Sequence, residues 1–170
     1  MPTFIAFPAM LVFPLLMAYA ASSDLLTMRI SNRLVLLLVG GFFILALLAG
    51  FSLQTIGMHV VAGIAVLAVS FGFFALGWIG GGDAKLIAAT TLWFGFGSML
   101  PYLIYASLLG GALTLLLLSV RRWPLPPQLK QVAWIDRLHD SKTGVPYGIA
   151  LAAAGLLVFP SSAIFLHLLG

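Results

Sequence analysis

Two aspartates carry the chemistry open to this chain. Asp24 stands in Ala21-Ser22-Ser23-Asp24-Leu25-Leu26, and Asp83 follows three glycines in Gly80-Gly81-Gly82-Asp83-Ala84-Lys85-Leu86. Two carboxylates with no other catalytic group suit water-mediated hydrolysis. Neighbouring carboxyls cannot both ionise cheaply, so they share one proton. The ionised partner takes a proton from water as the water attacks a carbonyl, and the protonated partner donates a hydrogen bond to the carbonyl oxygen. No acyl-enzyme, metal or other cofactor is required. Each aspartate also has a plainer reading: Asp83 after its glycines looks like a helix N-cap, and Asp24 beside two serines looks like a cap or a boundary residue. Gly80, Gly81 and Gly82 favour the functional account. They let backbone approach closely and take φ values that other residues resist, as a groove for an extended peptide would use.

Other chemistries lack their parts. The chain has no cysteine and no His-Glu-x-x-His, so zinc and thiol peptidase chemistry is without ligands or nucleophile. Ser98 follows Gly97, but no histidine is placed to serve it. His59 and His167 read as interfacial side chains and His139 and Asp140 as solvated loop residues. Trp78, Trp93, Trp123 and Trp134 read as interface anchors.

The elements that must position the aspartates are membrane helices. Of 170 residues, 62% are apolar and 7% charged, and the mean hydropathy is +1.18. Soluble domains run at about 45–50% apolar and about 25% charged, so a soluble fold is excluded. The shortage of charge excludes disorder, and the lack of cysteine excludes a disulfide framework. Apolar runs cover residues 4–22, 34–50, 57–78, 84–97, 102–120 and 147–169. The spacing predicts an all-α polytopic protein of six transmembrane helices forming one domain over residues 1–170, with a tight turn at 98–101 between the fourth and fifth. A five-span alternative makes the fourth run re-entrant.

Charge decides between these counts. With six spans, Arg29, Arg33, Lys85, Arg121, Arg122, Lys130, Arg137 and Lys142 all fall on one side. Dropping the fourth span would break that segregation. Cytoplasmic loops collect Lys and Arg, so both termini are expected on the outer side. Asp24 and Asp83 then reach the same, inner face. The topology also accounts for the net charge of +4 without nucleic acid. Ala18-Tyr19-Ala20 resembles a signal cleavage site, but no basic residue precedes the first run and Pro8 and Pro14 interrupt it. In the cytoplasmic loop at about 121–145, Arg121-Arg122-Trp123-Pro124-Leu125-Pro126-Pro127 cannot be helical. Residues 128–139 carry Leu129, Val132, Ile135 and Leu138 at three-residue spacing, with Lys130 and Arg137 among them. This suits a short helix on anionic headgroups, or equally an ordinary solvated loop.

The pattern of Asp24, Arg29-Ile30-Ser31-Asn32-Arg33-Leu34 and the Gly80–Leu86 block resembles the type IV prepilin peptidase family, membrane aspartic peptidases with a GxGD motif. The likeness runs from about Ser22 to the C-terminus and includes Val145-Pro146-Tyr147-Gly148. It implies Asp24 and Asp83 as the catalytic pair and Gly80 and Gly82 as the motif glycines around Gly81. Lys85 and Asn32 would be supporting residues, and Arg29, Pro146, Tyr147 and Gly148 would help position substrate. The commoner Ile-Pro-Asn is Ile30-Ser31-Asn32 here, which leaves the local turn less rigid. Larger members carry a cysteine-rich zinc insertion and also methylate the trimmed pilin. This chain is similar to the short form of tight-adherence (Flp) pilus systems, so peptidase activity without methyltransferase activity is expected. The implied setting is the bacterial inner membrane with the active site at the cytoplasmic face, among lipid. The implied substrate is a prepilin with a polar leader and an adjoining apolar helix. Lys85 or Arg29, as positive charges near the aspartates in sequence, are candidates to read an acidic pilin residue past the cut. The related signal-peptide peptidase and presenilin group has more helices and a tyrosine where this chain has Ser23.

Two other readings compete. A pilus-assembly component or small ion or proton transporter would need more mid-membrane polar groups than Ser70, Thr90, Thr91 and Ser107 supply. A GxGD peptidase could instead cut within transmembrane helices.

Overall fold

A computed structural model describes residues 3–169, and residues 3–6 only in their backbone. The chain ends, on which the expectation of outward termini bears, lie outside the described residues. Among the described residues the chain is all-helical: α1 Thr3–Thr27, α2 Asn32–Leu48, α3 Leu53–Ala75, α4 Gly81–Val120, α5 Pro127–Lys130, α6 Ala133–His139, α7 Tyr147–Val158 and α8 Ala163–Leu169. Three helices, Phe7–Thr27, Leu53–Ala75 and Gly81–Val120, are long and apolar enough to cross a membrane. The pair Tyr147–Ser161 and Ala163–Leu169, bent by 48°, makes a fourth if taken as one span.

Short polar residues start α2 and α3. Ser31 caps α2, its Oγ accepting from the Leu34 amide at 3.2 Å, and Ser52 caps α3, accepting from Thr55 at 3.1 Å. Ser31, which stands where the resemblance implies a proline, thus does a different job. It satisfies an amide that a helix start leaves free.

The 40-residue α4 is two helices joined at a break. Straight, it would run about 60 Å, twice the hydrocarbon thickness of a bilayer. Gly95 takes φ 54° and ψ −167°, a conformation nearly closed to other residues, and the chain doubles back there. Ile87 and Leu103 consequently line one cavity, although sixteen residues of straight helix would part them by about 24 Å. The reversal therefore comes at Gly95 and not at residues 98–101, which are helical. Glycine is the residue that tolerates this combination of φ and ψ, whereas Pro101 near the start of the second half forfeits a single donor.

His59 secures this break. It is buried, not interfacial as expected, and its Nδ1 lies 2.8 Å from the Leu92 carbonyl in the turn that the break interrupts. Its ring stacks on Phe42 and packs against Gly95, where an added Cβ would lie 2.8 Å from Nε2. Trp93 also departs from expectation. It is fully buried, and its Nε1 donates to the Leu38 carbonyl at 3.0 Å. Trp78 and Trp123 are exposed.

The core lies between α1, the first half of α4 and α7. Phe13 stacks on Phe159 at 4.5 Å and tilts against Trp93 at 5.0 Å. Small residues allow the close packing on which helix association in lipid depends. Gly155 sits against Phe13 and Met17, and Gly63 against the Ala88 carbonyl and Leu92. These pairings make α7 antiparallel to α1 and α3 antiparallel to the first half of α4. The last turn of α1, the first turn of α4 and the first turn of α7 meet at one end of the bundle.

The 121–145 loop holds two short helices instead of one. Pro127, expected to be non-helical, opens α5 at the first helical position, where its missing amide costs nothing.

Candidate active site

Asp24 lies in the last turns of α1 and is 5% exposed. Its Oδ2 accepts from the Gly148 amide at 2.7 Å. Gly148 belongs to the first turn of α7, where backbone amides have no helical partner and favour an anion. The contact requires glycine: a Cβ at position 148 would lie 2.8 Å from Oδ2 and 3.0 Å from Cγ of Asp24. The two residues are 124 positions apart.

Asp83 occupies the first turn of α4 and is not its cap. The cap is Gly80, which has extended φ/ψ of −71° and 146° and offers no side chain. From the third helical position an acidic side chain can turn back to the cap residue. That of Asp83 does so, with Oδ2 2.8 Å from where a Gly80 Cβ would stand. The three glycines thus supply space, not unusual φ, because positive φ among the glycines occurs at Gly50, Gly77 and Gly95. A Cβ at Gly82 would press on Ile30 at 3.2 Å, and one at Gly81 on Phe74 at 3.1 Å.

Both carboxylates open on one cavity of about 470 Å³, whose walls include Met28, Gly80, Arg137, Val145 and Tyr147. Tyr147 is pinned from behind, its hydroxyl 2.9 Å from Thr114 Oγ1 and its ring against Gly110. Pro146, buried, is the residue from which α7 starts. Among the described residues no three His, Cys, Asp or Glu side chains gather as a metal ion would need.

The cations are arranged otherwise than their sequence positions suggest. Lys85 faces away from the cavity, and its Nζ donates to Asn32 Oδ1 at 3.0 Å, tying the start of α4 to the start of α2. Two residues along a helix turn a side chain by about 200°, which is why Lys85 and Asp83 diverge. Arg29 is exposed and lines a neighbouring cavity, while its carbonyl accepts from Ser23 Oγ at 2.9 Å. The cation on the aspartates' cavity is Arg137, placed among headgroup-facing residues by its sequence context. Its Nη1 donates to the Leu26 carbonyl at 2.8 Å, docking α6 on the end of α1. The three-residue apolar period of residues 128–139 signalled a helix there. Nothing in that period signalled which element the helix would meet.

Met28 is a further residue without a sequence signal. It takes φ 55° and turns the chain out of α1 one helical turn after Asp24, with its amide bonded to the Asp24 carbonyl at 2.8 Å.

No curated protein and no solved structure matches the chain. The model of the type IV leader peptidase family matches residues 11–115, a stretch that holds Asp24, the three glycines, Asp83, the first half of α4 and most of the second, but ends before Gly148. With more than half of its length matched and both aspartates inside the match, this chain belongs to the type IV leader peptidase family.

Proposed function

We propose that the chain is an aspartic endopeptidase that removes the cytoplasmic leader from a prepilin of the tight-adherence (Flp) type, with Asp24 and Asp83 as its catalytic pair. The observation that carries this reading is that both carboxylates open on one cavity at one end of the helix bundle. A water between them attacks the scissile carbonyl carbon. One proton passes to the ionised aspartate, and the protonated aspartate donates a hydrogen bond to the carbonyl oxygen. The tetrahedral intermediate then expels the new pilin amino group, which, as the carbon–nitrogen bond breaks, takes from the aspartate the proton that the water gave up. The Gly148 amide holds Asp24 in place throughout.

The two halves of α4 count as separate spans in this reading, making six with the bent α7–α8 pair. All eight Lys and Arg then share the cytoplasmic side of the inner membrane, both termini face outward, and the site opens where a polar leader meets the bilayer. The leader peptidase family supports cleavage, and with no cysteine in the chain for a zinc insertion we expect no pilin methylation.

The test is co-expression of a Flp-type pilin with wild type, Asp24→Asn or Asp83→Asn, followed by mass spectrometry of the pilin. Leader loss with the wild type, and an intact leader with either variant at equal membrane abundance, is the expected result. Processing by both variants would exclude the dyad.

A further inference from the structure

Beside the site cavity runs a second, apolar groove of about 560 Å³ between α3, the second half of α4 and α7. The two share Ile79 and Tyr147 as walls, so the groove opens directly beside the aspartates. Ala65, Val69 and Phe73 form its α3 side, and Met99, Leu103 and Ala106 its α4 side. Each trio lies on one helical face over about two turns, or roughly 12 Å. Its polar groups are spoken for. Ser70 donates to the Ala84 carbonyl at 3.2 Å and Ser107 to the Leu103 carbonyl at 2.8 Å. The groove therefore offers mainly apolar surface. Its volume suits the side chains of one helix face and is too small to enclose a helix.

The other apolar groove, about 250 Å³ between α2, α3 and the first half of α4, shares no residue with the site cavity. Val39, Val60 and Lys85 are among its walls. Proximity to the aspartates distinguishes the two.

Resting on the peptidase reading above, we propose that the groove between α3 and the second half of α4 docks the first two turns of the substrate's apolar helix, just past the cleaved bond. The polar leader then enters the cavity at Asp24 and Asp83, with Tyr147 as the wall at which polar chain gives way to apolar. A substrate seated this way presents its scissile bond at the junction of the two spaces. A leader without an adjoining apolar helix, or a helix without a polar leader, fills only one of them.

The absence of cysteine from the chain makes a clean crosslinking test possible. Single cysteines replace Val69 or Leu103 in the groove, Val39 or Val60 in the other groove, and Leu36 on an exposed face of α2, all in an Asp83→Asn background. A Flp-type pilin carries one cysteine in the first two turns of its apolar helix, and mild oxidation in the membrane traps neighbours. Adducts at Val69→Cys and Leu103→Cys should exceed those at the other positions about tenfold. Equal yields at all positions, as for a groove filled by lipid acyl chains, or higher yields at Val39→Cys and Val60→Cys, overturn the assignment. Cleavage of the same pilin by the unaltered chain is read in parallel. Groove adducts without cleavage would keep the docking surface and remove the peptidase reading; cleavage without groove adducts would do the reverse. Absence of both overturns both.

Discussion

Replacing Gly148 by alanine separates site geometry from general stability. The added methyl would lie 2.8 Å from Oδ2, 2.9 Å from Cβ and 3.0 Å from Cγ of Asp24. It therefore cannot be accommodated unless the carboxylate swings away and the 2.7 Å bond from the Gly148 amide breaks. A hydrogen bond to a charged group contributes about 1.5–3 kcal/mol. At about 1.4 kcal/mol per decade of rate, kcat should fall about 10–100-fold, provided the bond holds Asp24 in its reactive position. The stability terms oppose one another. Alanine in a helix gains up to about 1 kcal/mol over glycine, and crowding a packed site costs about 1–3 kcal/mol. Thermal unfolding in detergent should consequently move by only a few degrees. Initial rates of prepilin cleavage across substrate concentration provide the assay, with Gly111→Ala, where a Cβ meets nothing within 4 Å, as the control. The expected result is a fall in kcat with little change in KM, since Gly148 bonds Asp24 and not the substrate. A Gly148→Ala enzyme with kcat within twofold of wild type would refute the argument that this amide positions Asp24.

Three further outcomes are expected. Gly95→Ala forces a side chain into a φ/ψ region reserved for glycine and into the His59 ring, costing about 1–3 kcal/mol and lowering the melting temperature by about 2–10 °C. An unchanged melting curve would mean that the break does not need glycine. His59→Leu removes the partner of the Leu92 carbonyl at a cost of about 0.6–2 kcal/mol, visible as a lower melting temperature with KM for prepilin unaltered. Arg137→Gln loses the bond that docks α6 on α1 and the one cation among the named walls of the site cavity. Its kcat/KM should fall about tenfold, the effect of roughly 1.4 kcal/mol, while Lys85→Gln, facing away, should change it less. Equal losses in the two variants would argue against the placement of these side chains.

What local sequence determined here is what partition between water and lipid determines. The apolar runs, the shortage of charge and the two aspartates next to helix ends were all legible, because each depends on a residue and its immediate neighbours. The family's aspartate and glycine block was legible for the same reason. The run at 84–97 and its separation from 102–120 were also visible, but the reversal at Gly95 was not, since several glycines and a proline compete locally for it. Only packing against His59 and the fold of the second half of α4 along α3 select one.

The site belongs largely to the tertiary structure. Asp24 and Gly148 meet across 124 positions, and no periodicity within α1 or α7 reports which buried acceptor a free amide will find. Lys85 and Arg137 both lie away from their expected places for a comparable reason. A charge's position along the chain sets which membrane face it reaches, whereas its bearing around a helix axis, and the element opposite, set what it touches. Hydropathy acts on the first, being a free energy of transfer; the second is settled only when helices pack and every buried polar group must find a partner.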